Sequence, residues 1–326
     1  MEDKIKEIIE KEFNAKTLEI KRINEGYSHY MYEVKIDKEP FILIIRFSNN
    51  KNEESNLGKE KYVMELLEKN KIPAPKIYVY DKEYMIIEKI KGIRLDTLWN
   101  SLNKDEKIEI TKKMGKLLSQ IHSIKLEKFG VIQEGGKIKC DDPFKFRKMG
   151  EPIEYNLFLR ELFKGGFEDF ARLLSYNPPQ KSLMIKIFTY LVNNLNKMAY
   201  QDPPTLIHGD YFPGHIFVEK ENGSYKIVGL IDFEFSNSYA PEFDFIKLHR
   251  QGFFEDIKLK AALEEGYGKP IDEKAVEVFR LMRDLGFAWV VLESGNKELS
   301  DKTLKDIEKR IDTPSYKSHD FWSSVN

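Results

Sequence analysis

Near Gly92 the spacing of apolar residues changes character, and that change constrains the fold more than any other feature of the chain. Before it, residues 16–23, 30–36, 41–47 ("FILIIRF") and 83–90 ("EYMIIEKI") are rich in β-branched and aromatic side chains and predict strands. A helix interrupts them around 60–68, with Tyr62, Val63, Leu66 and Leu67 on one face and "IPAP" at 72–75 as its stop. Ile5, Ile8 and Ile9 predict a further helix at the start. Beyond Gly92 the period is helical: Ile110, Met114, Leu117, Leu118 and Ile121, then Met184, Ile187, Phe188, Leu191, Leu195 and Met198, then 275–292. The expectation is an α+β protein with a small β-rich unit at 1–90 and a larger, mostly helical one at 91–326.

Composition excludes several classes. A length of 326 residues suits two domains or lobes, and 41% hydrophobic with 33% charged residues is ordinary for a soluble globular chain. The net charge of −1 gives no reason to expect nucleic acid or an anionic membrane as a partner. A single cysteine, Cys140, rules out an intramolecular disulfide or a thiolate zinc cluster and points to a reducing, cytosolic compartment. The opening "MEDKIKEIIEKEF" is too charged for a signal peptide, and no apolar run is long enough to span a bilayer. Monomer is the default expectation.

The chemistry concentrates in "LIHGDYFPGHIFVEK" (206–220) and "IVGLIDFEF" (227–235). Asp210, His215 and Asp232 read as lying on two short strands joined by a turn. Phosphoryl transfer needs a group to orient the attacking hydroxyl, a divalent metal to neutralise phosphates, and a cation on a separate element to grip the nucleotide. Asp210 fits the first role, since a carboxylate at hydrogen-bond reach accepts the hydroxyl proton. Asp232 fits the second, because Mg²⁺ prefers carboxylate oxygen. Arg46, near the end of a predicted strand, fits the third.

"HGD", then a metal-ligand position five residues after Asp210, then "IDF", resembles the aminoglycoside phosphotransferase family. The resemblance covers nearly the whole chain in order. It implies a bilobal, protein-kinase-like fold with a small β-rich N-lobe and a larger, mostly helical C-lobe. It places "INEGYSHYMYEV" as the phosphate loop, with Gly26 and Ser28, and "FILIIRF" as the strand bearing the nucleotide-gripping cation, with Glu60 as its ion-pair partner. "MIIEKIKG" matches the hinge strand, where the backbone of Glu88 to Ile90 would meet the base. Two positions depart from the usual pattern. Arg46 stands where protein kinases have lysine, and its fork can grip an oxygen pair. His215 stands where the family usually has asparagine, although macrolide kinases and aminoglycoside 2″-phosphotransferases also carry histidine there. Imidazole suits magnesium less well than zinc or iron, so His215 is expected to make a weak metal contact or hold a metal-bound water.

The implied reaction is transfer of a phosphate from ATP or GTP, with Mg²⁺, to an alcohol group of a small acceptor. An aminoglycoside-type antibiotic is the first expectation, implying a role in resistance, with a macrolide or a choline-type amino alcohol as alternatives. Aminoglycosides are polycations, so their sites collect carboxylates; the candidates are Glu234, Glu242, Asp284 and Glu293. Glu234 could equally face the metal. The segment after Asp244 is mixed in charge and not plainly acidic, which keeps the other acceptors open. A different class, a catalytically dead nucleotide-binding module, is motivated by positions 46 and 215 and opposed by Asp210 and Asp232. His208 and His122 read as scaffold, and Asp244 as the cap of a following helix.

Overall fold

The computed structural model describes residues 1–23, 29–48, 56–139, 171–173, 175, 181–194 and 203–312. Gly26, Ser28, Leu195, Met198 and Cys140 lie outside the described residues, as does most of the 140–200 segment. By packing, the chain divides into two compact units. The first comprises Met1–Glu106, Ile132–Lys137 and Pro213–Ser236, and the second Lys107–Val131, Ile138–Phe212 and Asn237–Asn326.

In the first unit, helix α1 (Glu2–Phe13) packs on a five-stranded antiparallel sheet. The sheet is built from β1 (Thr17–Ile23), β2 (His29–Ile36), β3 (Ile42–Ser48), β4 (Ile77–Tyr80) and β5 (Tyr84–Glu88), in the order β1-β2-β3-β5-β4. Helix α2 (Asn56–Lys69) is inserted between β3 and β4. Asn14, left-handed at φ 46°, terminates α1. Ile5 and Ile9 of α1 are fully buried in one cluster with Val34, Leu43, Ile45 and Ile86. Side chains alternate across a strand, so burying Leu43, Ile45 and Phe47 on the α1 face turns Arg46 to the other face. The four-residue β4 was not foreseen, because "IYVY" follows a proline-rich stop and is too short to show a period.

The same unit holds a three-stranded sheet in which Ile216–Glu221 pairs with both Ser224–Leu230 and Ile93–Arg94. The hairpin turns at Asn222 (φ 51°) and Gly223 (φ 85°); two left-handed residues in succession make the turn that matches strand twist. The expectation that Asp210, His215 and Asp232 lie on strands is corrected here. His215 closes a 3-10 turn, Pro213–His215, and Asp232 follows the strand that ends at Leu230. Asp210 sits in the loop after Thr205–Ile207.

The second unit is helical around a two-stranded pairing of Thr205–Ile207 with Asn237–Tyr239. Its helices include Lys104–His122, Phe245–Arg250, Ile257–Tyr267, Glu273–Glu293 and Lys297–Asp312. Side-chain oxygens of Asp256 and Asp272 cap the third and fourth of these. The first and third touch backbone to backbone at two glycines. A Cβ on Gly266 would fall 1.8 Å from the Lys112 carbonyl oxygen, and one on Gly115 would fall 2.2 Å from that of Leu263. No rotamer change relieves a clash with backbone. Gly266→Ala should therefore force the helices apart and destabilise the unit by ~1–3 kcal/mol. Thermal unfolding followed by circular dichroism should show a midpoint lower by roughly 2–4 °C per kcal/mol lost, whereas Gly268→Ala, where a Cβ meets nothing, isolates the cost of a positive φ alone.

Candidate functional site

On the first unit, the fork of Arg46 meets the carboxylate of Glu60 from α2, with Nη1–Oε2 at 2.5 Å and Nη2–Oε1 at 3.1 Å. Both residues are buried, Glu60 completely. Burial opposes the guanidinium charge, but Glu60 and then Asp232 and Glu234 outweigh it and hold the Arg46 pKa above its ordinary value. Three carboxylates thus act on one cation. Arg46 keeps one buried donor, Nε, without a partner among the described residues.

His215 Nε2 lies 3.3 Å from Asp232 Oδ2, and both side chains retain some exposure. The backbone fixes their approach: Ile231 N–H donates to the His215 carbonyl at 3.0 Å, closing the open end of the hairpin. Asp232 is left-handed, φ 69°, a conformation uncommon for a residue with a side chain and concentrated at functional positions. Among the described residues no three His, Cys, Asp or Glu side chains gather as a metal cage. One or two carboxylates are nevertheless what magnesium asks of a protein, since it keeps several waters and takes phosphate oxygens from its substrate. Asp232 fits that demand, and His215 beside it fits a weak contact or a hold on a metal-bound water. Lys59, which the sequence reading passed over, is buried and donates to the Glu234 backbone oxygen at 2.8 Å.

At the expected hinge, Glu88 N–H donates to the Lys76 carbonyl at 2.8 Å, and its carboxylate accepts from Lys76 N–H at 3.2 Å. Ile90 packs its side chain on Gly229, where a Cβ would come within 2.3 Å of Ile90 Cδ1.

On the second unit, Asp210 is held from behind by its own loop. The Asp244 carboxylate accepts from the backbone N–H of His208 at 2.8 Å and of Gly209 at 2.6 Å. His122 Nε2 lies 3.0 Å from the same carboxylate, and Nδ1 lies 2.8 Å from the Tyr267 hydroxyl. An anionic acceptor on one side makes Nε2 the donor, so in the neutral ring Nδ1 accepts from tyrosine. Asp244 stands at the start of Phe245–Arg250 but its side chain makes no cap; its oxygens are taken by the loop instead. Asp210 N–H donates in turn to His208 Nδ1 at 3.2 Å. His208 and His122 are buried parts of this brace.

The front of Asp210 carries cations that sequence reasoning missed. Lys247 Nζ lies 2.7 Å from each carboxylate oxygen, and Arg283 Nη2 lies 3.8 Å from Oδ1. Burial lowers the Lys247 pKa against the pull of Asp210. Burial, and then the charge of Arg250, lower that of Arg283 to about 10. A visible hint was "FDFIKLHR", which sets Lys247 three residues past Asp244, one turn along a helix.

The four carboxylates expected to meet an acceptor are placed differently. Asp284 is corrected: it is buried among arginines, taking charge-assisted bonds from Arg250 and from Arg310 at 2.6 Å, with Arg280 at 3.6 Å. Those charges depress its pKa despite burial, and its oxygens are committed to them. Glu234 belongs to the first unit, beside Arg46. Glu242, on the 3-10 turn Pro241–Asp244, has a raised pKa from burial, and its buried Oε2 lacks a partner among the described residues. Glu293 ends the Glu273–Glu293 helix and is exposed.

The profile of the phosphotransferase enzyme family matches residues 19–279. Among solved structures, an aminoglycoside 2″-phosphotransferase in complex with gentamicin superposes with a TM-score of 0.65 at 16% identity, over 94% of this chain and 96% of that one. The GDP complex of an aminoglycoside 2′-phosphotransferase mutant gives 0.68 at 15%, over 97% and 100%. A macrolide 2′-phosphotransferase type I gives 0.62 at 11%, over 94% and 96%. At such identities the likeness establishes the fold, the kinase-like α+β architecture of these enzymes. No curated protein matches by sequence. No helix among the described residues is long and apolar enough to cross a membrane.

The arginine cluster beside Asp284 also governs acid stability. His249 Nδ1 lies 2.9 Å from Arg280 Nη1 and accepts from it, because a guanidinium has no acceptor to offer. Burial, and then the charges of Arg280, Arg310 and Arg250, push the His249 pKa down to about 3. The unfolded chain takes up this proton near pH 6.5 and the folded one does not, so stability falls as pH drops through that window. Urea unfolding at pH 5 should show about 2 kcal/mol less stability than at pH 7 from this group alone. His249→Gln should flatten that dependence; an unchanged slope would mean the ring is not held neutral.

Proposed function

The chain belongs to the phosphotransferase enzyme family, and from that premise we propose that it is a small-molecule kinase, moving the γ-phosphate of ATP or GTP to a hydroxyl of an acceptor. The observation that carries the reading is the buried Arg46–Glu60 fork with one donor unused beside Asp232 and Glu234. Residues 1–90 supply the nucleotide-gripping part and 91–326 the rest of the catalytic and acceptor machinery. Gly26 and Ser28 would serve the phosphates and the 88–90 backbone the base. The single cysteine keeps a reducing, cytosolic setting as part of the proposal.

The roles follow from each side chain's surroundings. Glu60 stiffens Arg46 before phosphate arrives, which lowers the ordering cost of binding. Asp232 and His215 would hold magnesium, which would supply positive charge to neutralise the phosphates. Asp210 accepts the acceptor's hydroxyl proton as that oxygen attacks the γ-phosphorus; the bond to the β-phosphate oxygen breaks and the nucleoside diphosphate leaves. The Asp244 brace fixes the Asp210 backbone, so the base is positioned without relying on substrate.

Asp210→Asn should keep the fold and nucleotide affinity yet lose on the order of 10²- to 10⁴-fold in turnover. Near-normal turnover would remove Asp210 from its role. Asp232→Ala should abolish magnesium-dependent nucleotide binding measured by calorimetry, while His215→Asn should stay active and His215→Ala should need more magnesium. Arg46→Ala should weaken nucleotide binding and take from buried Glu60 its guanidinium partner, at a cost of ~3–5 kcal/mol. Parallel magnesium titrations for wild type and both His215 variants would take His215 out of the site. Magnesium-dependent slow hydrolysis of nucleotide without acceptor separates an enzyme from a dead binding module.

A further inference from the structure

The surroundings of Asp210 bear on what acceptor it can receive. Lys247 covers both carboxylate oxygens, and Arg283 stands beside one of them. Lys247 and Arg283 keep 21% and 16% of their side chains exposed, against 9% for Asp210, so the cations reach solvent more than the base they flank. Behind them lie Arg250, Arg280 and Arg310, opposed by Asp284 and Asp306. With Asp244, which pulls on Arg283, five cations face four carboxylates. Of the four carboxylates expected to attract an ammonium, Asp284 is spent on arginines.

A polycation approaching Asp210 meets two like charges first and offers nothing to draw Lys247 away. Glycerol or water can accept one hydrogen bond from Lys247 but cannot replace its ion pair. An oxyanion can: its oxygens take the ammonium and the guanidinium, and a neighbouring hydroxyl takes the carboxylate oxygen that Lys247 releases. We propose that the acceptor is a hydroxylated oxyanion, a carboxylate or a phosphate monoester, held by Lys247 and Arg283 with its hydroxyl on Asp210. This rests on the kinase reading and replaces the aminoglycoside expectation. Lys247 and Arg283 then act as acceptor-binding residues, and the anion itself uncovers the base.

The experiment measures acceptor-dependent release of nucleoside diphosphate with four probes: glycerate, glycerol 3-phosphate, glycerol and kanamycin. Glycerate or glycerol 3-phosphate should exceed glycerol at least tenfold at equal concentration, and whichever leads identifies the anion. Kanamycin should give no release above background. Arg283→Gln and Lys247→Gln should each raise KM for the leading anion at least tenfold while magnesium–nucleotide affinity, read by calorimetry, moves less than twofold; Arg283→Lys should recover part of the loss. Phosphorylation of kanamycin, anions no better than glycerol, or KM unchanged in both glutamine variants would each overturn the proposal. Failure of wild type to bind magnesium–nucleotide would overturn the kinase reading instead, and that readout is independent of every acceptor.

Discussion

One carboxylate organises the second unit. Asp244 receives the N–H groups of His208 and Gly209 and lies against the His122 ring, so a single buried anion satisfies the donors of a tight loop that no strand or helix could satisfy. Hydrogen bonds to a charged acceptor are about twice as strong as neutral ones, and all of these are shielded from water. His122 is itself fixed by Tyr267, and Tyr267 reaches it because Gly115 and Gly266 let their helices touch. The position of Asp210 is therefore set by packing between helices far along the chain. A methyl group at Gly266 is thereby linked to the backbone of Asp210 through Tyr267, His122, Asp244 and the His208–Gly209 loop.

The first unit solves a different problem. Its sheet buries Leu43, Ile45 and Phe47 toward α1, which leaves Arg46 on the opposite face, across from Met31 and Met85. A lone guanidinium there would be costly. Glu60 offsets that cost, and Asp232 and Glu234 add to it, so the charge survives burial and remains available.

Much of this was legible in the sequence wherever a signal is local. Helices α1 and α2 and strands β1, β2, β3 and β5 follow from period and turn residues, and Arg46, Glu60, Asp210 and Asp232 stand out by motif and order. What escaped is set by contacts distant in sequence. Asp284 reads as a free acid in "RLMRDLGF", although Arg280 at i and Asp284 at i+4 already hint at a pair; the arginines from 250 and 310 that complete its shell cannot be read from that helix. Lys247 and Arg283 look like ordinary surface cations until two separate helices bring them to Asp210. Asp244 looks like a cap because its position is a cap's, and only the loop's unmet donors reveal its use.

The hairpin between His215 and Asp232 has a consequence for handling the protein. The two residues meet at the closed end, where Ile216 pairs with Leu230, while the far end is an Asn222–Gly223 turn with open space around the glycine. The ladder between them isolates one end from the other. A fluorophore, spin label or short affinity peptide grafted at that turn would extend into solvent and leave the spacing of His215 and Asp232 to the first pairs of the ladder.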